Sequence, residues 1–164
     1  MPKRKSLADL NCSLAHALDV VGDGWTLLVL RDLFLGARRF VELAQSLDIA
    51  RNILTERLTL LVRESLVRRT GTQNRPLYEL SEKGFALVPG LVALMQWGDR
   101  YYAPSGRPMR IVDQEGHEVA QVVITNSRGI RLRPDTVFAL PGPGAEPATR
   151  FYMEAVGRKP KRRA

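Results

Sequence analysis

The middle of the chain contains the pattern that most restricts the possible fold. Apolar residues recur at i, i+3, i+4 and i+7 over Phe40–Leu47, which is the spacing of one helix face. After a short turn, Asp48–Ala50, a second helix beginning at Arg51 buries three leucines: Leu54, Leu58 and Leu61. Two β-rich runs then flank a polar loop: Leu66–Thr70 and Leu77–Leu80. Helix, tight turn, helix and β-hairpin predict a winged helix-turn-helix, whose second helix fits the major groove of DNA.

The length and composition of the chain set further limits. Its 164 residues can form one well-packed domain, alone or with a small appendage. No apolar run approaches the roughly 18 residues of a membrane span, and the basic N-terminus lacks the apolar core of a secretory signal. The only cysteine is Cys12, which excludes an internal disulfide and a multi-cysteine zinc site. We therefore expect a cytoplasmic protein without a metal, a cofactor or a membrane partner.

The net charge of +8 lies outside the predicted domain. Basic residues in segments 3–5 and 158–163 account for all of it, so residues 6–157 are neutral as a whole. Within that neutral body, residues 38–75 contain eight arginines against four acidic residues. Such a local surplus is typical of a surface that contacts phosphates, and it predicts an affinity that falls steeply with salt.

Helical patterns surround the central unit. We predict one helix over about residues 11–21 and another over residues 24–35, the latter capped by Asp23 and stopped by Gly36. The second of these is apolar nearly all round, which indicates a central position.

A longer helix is predicted after the hairpin. Ser81 can cap it, it reaches about Tyr101, and Pro89 should kink it or start its second half. An apolar stripe follows it: Leu87, Leu91, Leu94 and Trp97. So broad an apolar face predicts a partner, and a second copy of the same helix is the simplest one.

A segment rich in proline and glycine, 103–108, introduces a different pattern. Four β-like runs follow, with turn-like sequences between them: 109–112, 118–124, 130–132 and 136–140. We find no convincing internal repeat. The fold class is therefore α+β, mainly α, with a long C-terminal dimerisation helix and a small β-hairpin appendage. The expected domains are a flexible basic N-terminus (1–10), a winged helix-turn-helix and dimerisation domain (11–102), the cysteine-free β appendage (103–147), and a short helix with a basic, disordered tail (148–164).

The order and spacing of residues between positions 12 and 97 form a further pattern. Its members are Cys12, Gly22, Trp25, Thr26, Gly36, Arg39, Phe40, Glu42, Leu43, Ile49, Leu54, Thr55, Arg57, Leu58, Leu61, Leu66, Val67, Arg69, Tyr78, Leu80, Gly84 and Trp97. They resemble the HxlR-type winged helix-turn-helix regulators, relatives of the MarR group. The resemblance implies a dimeric DNA-binding transcription regulator whose terminal helices form the dimer interface. Some members look to carry an appendage shaped like a zinc ribbon; similar turns here, 115–116 and 126–129, lack cysteine and cannot bind zinc through thiolates.

The second helix of the motif would present its polar side to DNA. Five residues lie on that side, on its flank or at its leading end: Arg51, Asn52, Thr55, Glu56 and Thr59. Arg51 and Asn52 are our candidates for base readout, because Arg pairs with guanine and Asn with adenine through two hydrogen bonds. Thr55 could reach a phosphate or a thymine methyl group. The alternative is an ordinary solvated helix face.

Two other groups are candidates for contacts with phosphates and the minor groove. Arg38 and Arg39 precede the first helix of the motif and should meet phosphates, although a surface salt bridge to Glu42 is the alternative. The wing supplies four candidates: Arg69, Gln73, Asn74 and Arg75. An arginine at the wing tip suits the negative potential of the adjacent minor groove.

Cys12 has two interpretations that the sequence leaves open. In several members of the HxlR-type family that this chain resembles, the matching cysteine is a redox-sensing thiol. Nearby lysines and a helix N-terminus could favour a thiolate here. The alternative is a small buried apolar side chain. The two histidines, His16 and His117, are not paired with a nucleophile, and no Gly-rich phosphate loop follows a predicted strand, so an enzyme is not expected.

Together these patterns predict a homodimeric, sequence-specific regulator that binds double-stranded DNA at a pseudo-palindromic operator, most simply as a repressor. One rival is a protein-interaction module with only non-specific nucleic-acid affinity. Another is a ligand-sensing protein that binds an unknown small-molecule effector between the long helix and the β appendage, which is compatible with DNA binding.

Overall fold

The computed structural model describes residues 7–157 and confirms the predicted winged helix-turn-helix class. The elements follow in the order α1 (Ser13–Val21), α2 (Gly24–Phe34), α3 (Phe40–Leu47), α4 (Arg51–Arg63), β1 (Val67–Thr72), β2 (Arg75–Leu80), α5 (Glu82–Phe85), α6 (Val88–Tyr102), a short 3-10 turn (Pro134–Thr136) and α7 (Pro147–Val156). Most of the predicted flexible N-terminus and the basic tail fall on residues 1–6 and 158–164, which lie outside the described residues.

Helix α2 occupies the centre of the core, as its nearly uniform apolar sequence predicts. It packs against α1, α3, α4, α6 and β2. Val29 and Leu30 of α2 are fully buried, and so are Leu43 of α3 and Leu54 and Leu61 of α4 in the same cluster. Burial stabilises each such Leu or Val by roughly 1.5–3 kcal/mol, so this cluster holds α3 and α4 together on α2.

Local signals set the ends of α1 and α2. The carboxylate of Asp23 accepts a hydrogen bond from the Thr26 N–H at 3.2 Å, which is the predicted cap of α2. Gly36 follows the end of α2 with a φ of +105°, a conformation that favours glycine. Helix α1 begins at Ser13, later than predicted, because Cys12 has an extended backbone with a φ of −149° and serves as the N-cap.

The turn between α3 and α4 is tight, as predicted. Asp48 ends α3 in the left-handed conformation, with φ 47° and ψ 42°. Helix α4 begins at the predicted residue, Arg51, and its three leucines are exposed by only 0%, 3% and 0% (Leu54, Leu58 and Leu61). The buried side of this helix is therefore the predicted one.

The wing is an antiparallel hairpin with longer strands than predicted. Pairing continues to Thr72 and Arg75, so only Gln73 and Asn74 form the loop. The predicted loop is too long because backbone pairing extends through residues whose exposed polar side chains carry little strand signal. Arg39 adds an isolated bridge to Leu77, which ties the segment before α3 to the wing.

The single long helix predicted after the wing is two helices. The Ser81 hydroxyl caps only α5, where it accepts a hydrogen bond from the Gly84 N–H at 3.1 Å. Helix α6 begins anew at Val88 with Pro89 in its first turn. Proline is tolerated there because the N–H groups of the first turn have no partner within the helix. The prediction that Pro89 starts a second half is therefore confirmed, and the prediction of one continuous helix is wrong.

The predicted dimerisation stripe divides between two sides of α6. Leu91 is 6% exposed, and Leu87 is half-buried against the same core. Leu94 and Trp97 are 56% and 54% exposed. Leu87 and Leu91 are therefore corrected to residues of the subunit's own core, because α6 is apolar on two sides and one of them completes that core.

The predicted strands of the appendage do not form within residues 103–146. Two isolated bridges, Val112–Glu118 and Thr125–Arg131, and the 3-10 turn stand in their place. Each bridge closes a turn in which a side-chain oxygen, of Asp113 or Asn126, accepts two backbone N–H groups. These local bonds satisfy the backbone within each turn, so a ladder of strands is not required.

The two turns also reveal an internal repeat that the sequence search missed. The segments IVDQEGHEV (111–119) and ITNSRGIRL (124–132) place Asp or Asn, Gly and an apolar residue at matching positions. Gly116 and Gly129 have φ values of +87° and +75°, so the backbone conformation repeats as well.

Two amide side chains attach the appendage to the helical domain. Gln96 of α6 accepts the Val122 N–H at 2.8 Å and donates to the Ala120 carbonyl at 3.1 Å. Asn11 accepts the Glu146 N–H at 3.0 Å and donates to the Gly144 carbonyl at 3.1 Å. Residues 103–146 therefore form a strap that runs from the end of α6 back to the start of α1.

Candidate nucleic-acid interface

Helix α4 exposes the polar side that the sequence assigns to DNA. All five candidates are exposed: Arg51, Asn52, Thr55, Glu56 and Thr59. Arg51 and Asn52 occupy the first turn, whose N-cap, Ala50, has no side chain able to cap it. The N–H groups of that turn place partial positive charge where a phosphate can approach.

Thr55 is engaged within its own helix. Its hydroxyl donates to the Arg51 carbonyl oxygen at 2.8 Å. A phosphate would have to compete for that proton, whereas the methyl group is free to meet a thymine methyl.

The arginines before α3 are held by a carboxylate. Glu42 accepts the backbone N–H groups of Arg38 and Arg39 at 2.8 and 2.9 Å. These hydrogen bonds, first from Arg38 and then from Arg39, lower the pKa of Glu42 below its ordinary value of 4.5. Because the pKa is lowered in the folded state, this stabilisation is present above pH 4.5 and is lost as the pH falls through the lowered pKa.

The side chains of the same arginines project outward. Arg38 forms an ion pair with Glu79 of β2 and is 59% exposed. The Arg39 Nε atom lies 3.9 Å from the Glu42 carboxylate, and its side chain is 69% exposed. The salt bridge that was the alternative for Arg39 is thus present only at long range, and both guanidinium groups stay accessible.

The wing and the start of α3 share one cleft. The wing candidates are all exposed (Arg69, Gln73, Asn74 and Arg75). A cleft of about 680 Å³ is lined by Arg39, Phe40, Val41, Asn74, Arg75, Pro76 and Leu77. The structure therefore brings Arg39 and Arg75, which belong to separate groups of candidates, to the same place.

The eight arginines of this region divide into paired and unpaired side chains. Four have a carboxylate partner: Arg38, Arg39, Arg57 and Arg63. The other four form no ion pair within residues 7–157, and all are exposed: Arg51, Arg68, Arg69 and Arg75. These unpaired charges are the most available to phosphates.

Comparison with known proteins identifies the family. The model of the HxlR-like helix-turn-helix family matches residues 20–106, more than half of the chain. The chain belongs to this HxlR-like family. It is therefore a DNA-binding transcription regulator, and the exposed side of α4 lies on the recognition helix of the motif.

Relatives of this HxlR-like protein match a larger part of it. The HTH-type transcriptional regulator Rv3095 of Mycobacterium tuberculosis, itself uncharacterized, is 39% identical over 137 residues, which cover 80% of this chain and 87% of the relative. The crystal structure of PA1607, a candidate transcription factor, matches with a TM-score of 0.73 at 37% identity, covering 80% of this chain and 95% of that one. PA1374 of Pseudomonas aeruginosa, another candidate transcription factor, matches with a TM-score of 0.61 at 34% identity, covering 86% and 99%. The likeness therefore extends beyond the helix-turn-helix segment.

A larger cleft lies between α1 and α7, not between α6 and the appendage as predicted for a ligand pocket. Its volume is about 920 Å³. Its lining contains no Asp, Glu, Lys or Arg. The residues that line it are Leu10, Asn11, Cys12, Ser13, Leu14, His16, Ala139, Gly142, Gly144, Ala145, Ala148, Thr149, Tyr152 and Met153. Cys12 is a free, exposed cysteine here, so its interpretation as a buried side chain is wrong for the single subunit, and its redox role stays a prediction.

The described residues contain neither a cluster suited to a metal ion nor a single helix suited to a membrane. No group of three or more His, Cys, Asp or Glu side chains suited to a metal ion occurs in residues 7–157. Within the same residues no helix alone is long and apolar enough to cross a membrane; α1 and α2 pass this test only as a pair, which is bent by 79°.

Sequence reasoning missed two arginines. Arg68 is exposed and unpaired, but strand position alone does not distinguish it from its neighbours. Arg57 is counted in the basic surplus, yet its Nε atom lies 3.1 Å from an Asp23 carboxylate oxygen. Helical spacing holds a signal for this, because Arg57 is three residues after Leu54 and therefore flanks the buried side.

Proposed function

We propose that this HxlR-like protein acts as a homodimer on a pseudo-palindromic operator, with α4 of each subunit in a major groove. The observation that carries the proposal is the contrast between the sides of α4, where Leu54 and Leu61 are fully buried and the polar candidates are exposed. Arg51 and Asn52 read base edges, and the half-site centres lie about one helical turn, ~34–36 Å, apart or a multiple of it.

The remaining candidates hold this helix on the duplex. Arg38 and Arg39 contact phosphates beside α3, and the wing places Arg75 and its neighbours over the adjacent minor groove. The convergence of Arg39 and Arg75 on one cleft supports this assignment, because a single DNA strand can follow the surface that they share.

The exposed side of α6 is the proposed dimer interface. Leu94, Trp97 and Tyr101 recur at i, i+3 and i+7, and each is more than half exposed. Trp97 packs on Tyr101 and Tyr102 with ring centroids 5.7 and 5.1 Å apart, which forms one apolar aromatic patch. A second copy covers such a patch with the same residues, as a two-fold interface requires. Repression is the simplest outcome, because a dimer bound across a promoter occludes it.

Substitution of the readout residues tests the proposal. Bound duplexes are selected from a random pool at a stated salt concentration, and the preference is then measured for Arg51→Ala and Asn52→Ala. Each variant should lose about 1–3 kcal/mol of discrimination at one base position. Arg63→Ala, which removes a charge from the last turn of the same helix, is the control and should keep the preference. Intact preferences in both readout variants would show that α4 faces DNA differently.

The cleft between α1 and α7 supports a second function, binding of a neutral and largely apolar small-molecule effector. Its volume of about 920 Å³ lies in the range of ligand pockets, and its lining contains no Asp, Glu, Lys or Arg.

A filling substitution tests this second function. A neutral aromatic probe, 2-naphthol, should raise the melting temperature of the wild type but not of Ala148→Trp, which fills the cleft. Glu154→Trp, at an exposed position on the opposite side of α7, is the control and should respond like the wild type. An equal rise in Ala148→Trp would place the probe elsewhere.

A further inference from the structure

An ion pair joins the start of α2 to the middle of α4. The Arg57 Nε atom lies 3.1 Å from Asp23 Oδ1, and the two side chains are only 26% and 32% exposed. The Nε atom is buried and has no partner of hydrogen-bond geometry within the described residues, so the contact acts through charge and not through a directed hydrogen bond. Partial burial reduces the screening of such a pair by salt.

Asp23 is itself firmly placed. The same Oδ1 atom accepts the Thr26 N–H at 3.2 Å, and Thr26 is fully buried. The carboxylate that faces Arg57 is therefore fixed to the N-terminus of α2, the central helix of the core.

Arg57 is turned away from the readout side of α4. It lies three residues after Leu54 and four before Leu61, so it projects beside these buried leucines. Asn52 and Glu56 project from the opposite side and are exposed. The charge of Arg57 is thus committed to Asp23 and is not presented with the readout residues.

We propose that Asp23 and Arg57 are positioning residues for sequence readout, which set the rotation of α4 on the core and so the placement of Arg51 and Asn52. Apolar burial is non-directional, so the leucine contacts alone permit small rotations of the helix. The ion pair on one flank removes this freedom. Paired hydrogen bonds to a base need donor–acceptor distances within a few tenths of an ångström, whereas attraction to phosphates does not, so loss of the pair affects specificity first. The inference rests on the proposed readout by α4.

Charge-neutralising variants of both partners test the pair. Asp23→Asn keeps a good N-cap for α2 and removes only the charge. Arg57→Gln removes the opposite charge, and Arg63→Gln is the matched control on the same helix. Affinity for the selected operator and for a scrambled duplex of equal composition is measured over a range of salt concentrations.

Asp23→Asn and Arg57→Gln should each lower the ratio of operator to scrambled affinity about threefold to tenfold. The slope of affinity against salt should stay within a few tenths of the wild-type value. The double variant should lose no more than the more affected single variant, because both remove the same interaction. Arg63→Gln should keep the wild-type ratio.

Three results would overturn the inference. The first is an unchanged ratio in either single variant, whatever happens to its melting temperature. The second is an equal loss in Arg63→Gln. The third is a salt slope that becomes shallower by about one unit in Arg57→Gln alone, which would place Arg57 on a phosphate. If Arg57→Gln does not fold, Arg57→Met takes its place, because it keeps a long unbranched side chain and removes the charge. It should lose about threefold to tenfold in the ratio, and no loss would count against the pair. If the wild type binds operator and scrambled duplexes equally, the proposed function itself is contradicted. If the wild type prefers the operator and the variants keep that preference, only the positioning role of Asp23 and Arg57 is contradicted.

Discussion

Arg38 and Arg39 are neighbours in sequence but differ in how firmly the protein engages their side chains. Arg38 pairs with Glu79 of β2, whereas Arg39 is 3.9 Å from Glu42 and 69% exposed. An exposed charge held this loosely gains little from its intramolecular partner, about 0–1 kcal/mol, and can be redirected to a phosphate. Arg39 is therefore the more available of the two, although both backbones are anchored by Glu42.

Arg39→Ala should weaken binding to all duplexes alike, because a phosphate contact carries no base information. The slope of log affinity against log salt should become shallower by about one unit. Titrations at several salt concentrations with operator and scrambled duplexes measure this. Arg133→Ala, which removes an exposed arginine paired with Asp135 in the strap, is the control. An unchanged slope would remove Arg39 from the phosphate contacts.

Among the elements, the wing and α5 meet in a closely packed junction. The Ser81 hydroxyl donates to the Ser65 carbonyl at 2.6 Å and accepts the Gly84 N–H at 3.1 Å. A Cβ atom on Gly84 would lie 2.2 Å from the Leu66 carbonyl oxygen, so this close approach requires glycine. The position of the wing relative to α4 depends on this contact, since Leu66 directly precedes β1.

Gly84→Ala should lower the free energy of unfolding by about 1–3 kcal/mol, because backbone has to move to make room. Chemical denaturation followed by circular dichroism measures the change. Gly90→Ala in α6 is the control, since the added Cβ atom would lie 3.9 Å from the Leu87 side chain, at ordinary van der Waals distance. Equal losses in the two variants would show that close packing at Gly84 is not the cause.

For the whole molecule, several helices leave large apolar side chains exposed in the single subunit. Among them are residues of α1, α6 and α7: Leu14, Leu18, Leu94, Trp97, Tyr101, Tyr102, Phe151, Tyr152 and Val156. The strap contacts α6 through Gln96 and the segment before α1 through Asn11. We expect dimerisation to involve α6, where Trp97 packs on Tyr101 and Tyr102 in one exposed patch.

Leu94→Glu should convert the proposed dimer into a monomer of 18.4 kDa, because a charge cannot be buried against the same charge of a second copy. Light scattering coupled to gel filtration measures the mass. Phe85→Glu on α5 is the control, because Phe85 and Leu94 are both 56% exposed. Operator affinity should fall with the loss of the dimer, since both readout helices must bind at once. A wild-type monomer, or a dimeric Leu94→Glu variant, would contradict the interface.

Periodicity in the sequence was sufficient for α3, α4 and the turn between them. The spacing of Leu54, Leu58 and Leu61 decides which side of α4 is buried, whatever the rest of the chain does, and the exposed polar candidates follow from it. The family pattern over the same residues confirmed this part of the fold. The start of α2 was likewise predictable, because Asp23 caps it through a hydrogen bond to Thr26, only three residues away.

Contacts between distant parts of the chain were decided only by the tertiary structure. One apolar pattern on α6 serves both the core at Leu91 and the surface at Leu94, and only the packing of α6 on α2 separates the two. The pairing of Arg57 with Asp23 and the attachment of the strap by Gln96 depend on which elements meet in space. Amphipathic spacing records which side of an element avoids water, but not which element it meets, and for that reason these features could not be predicted from the sequence.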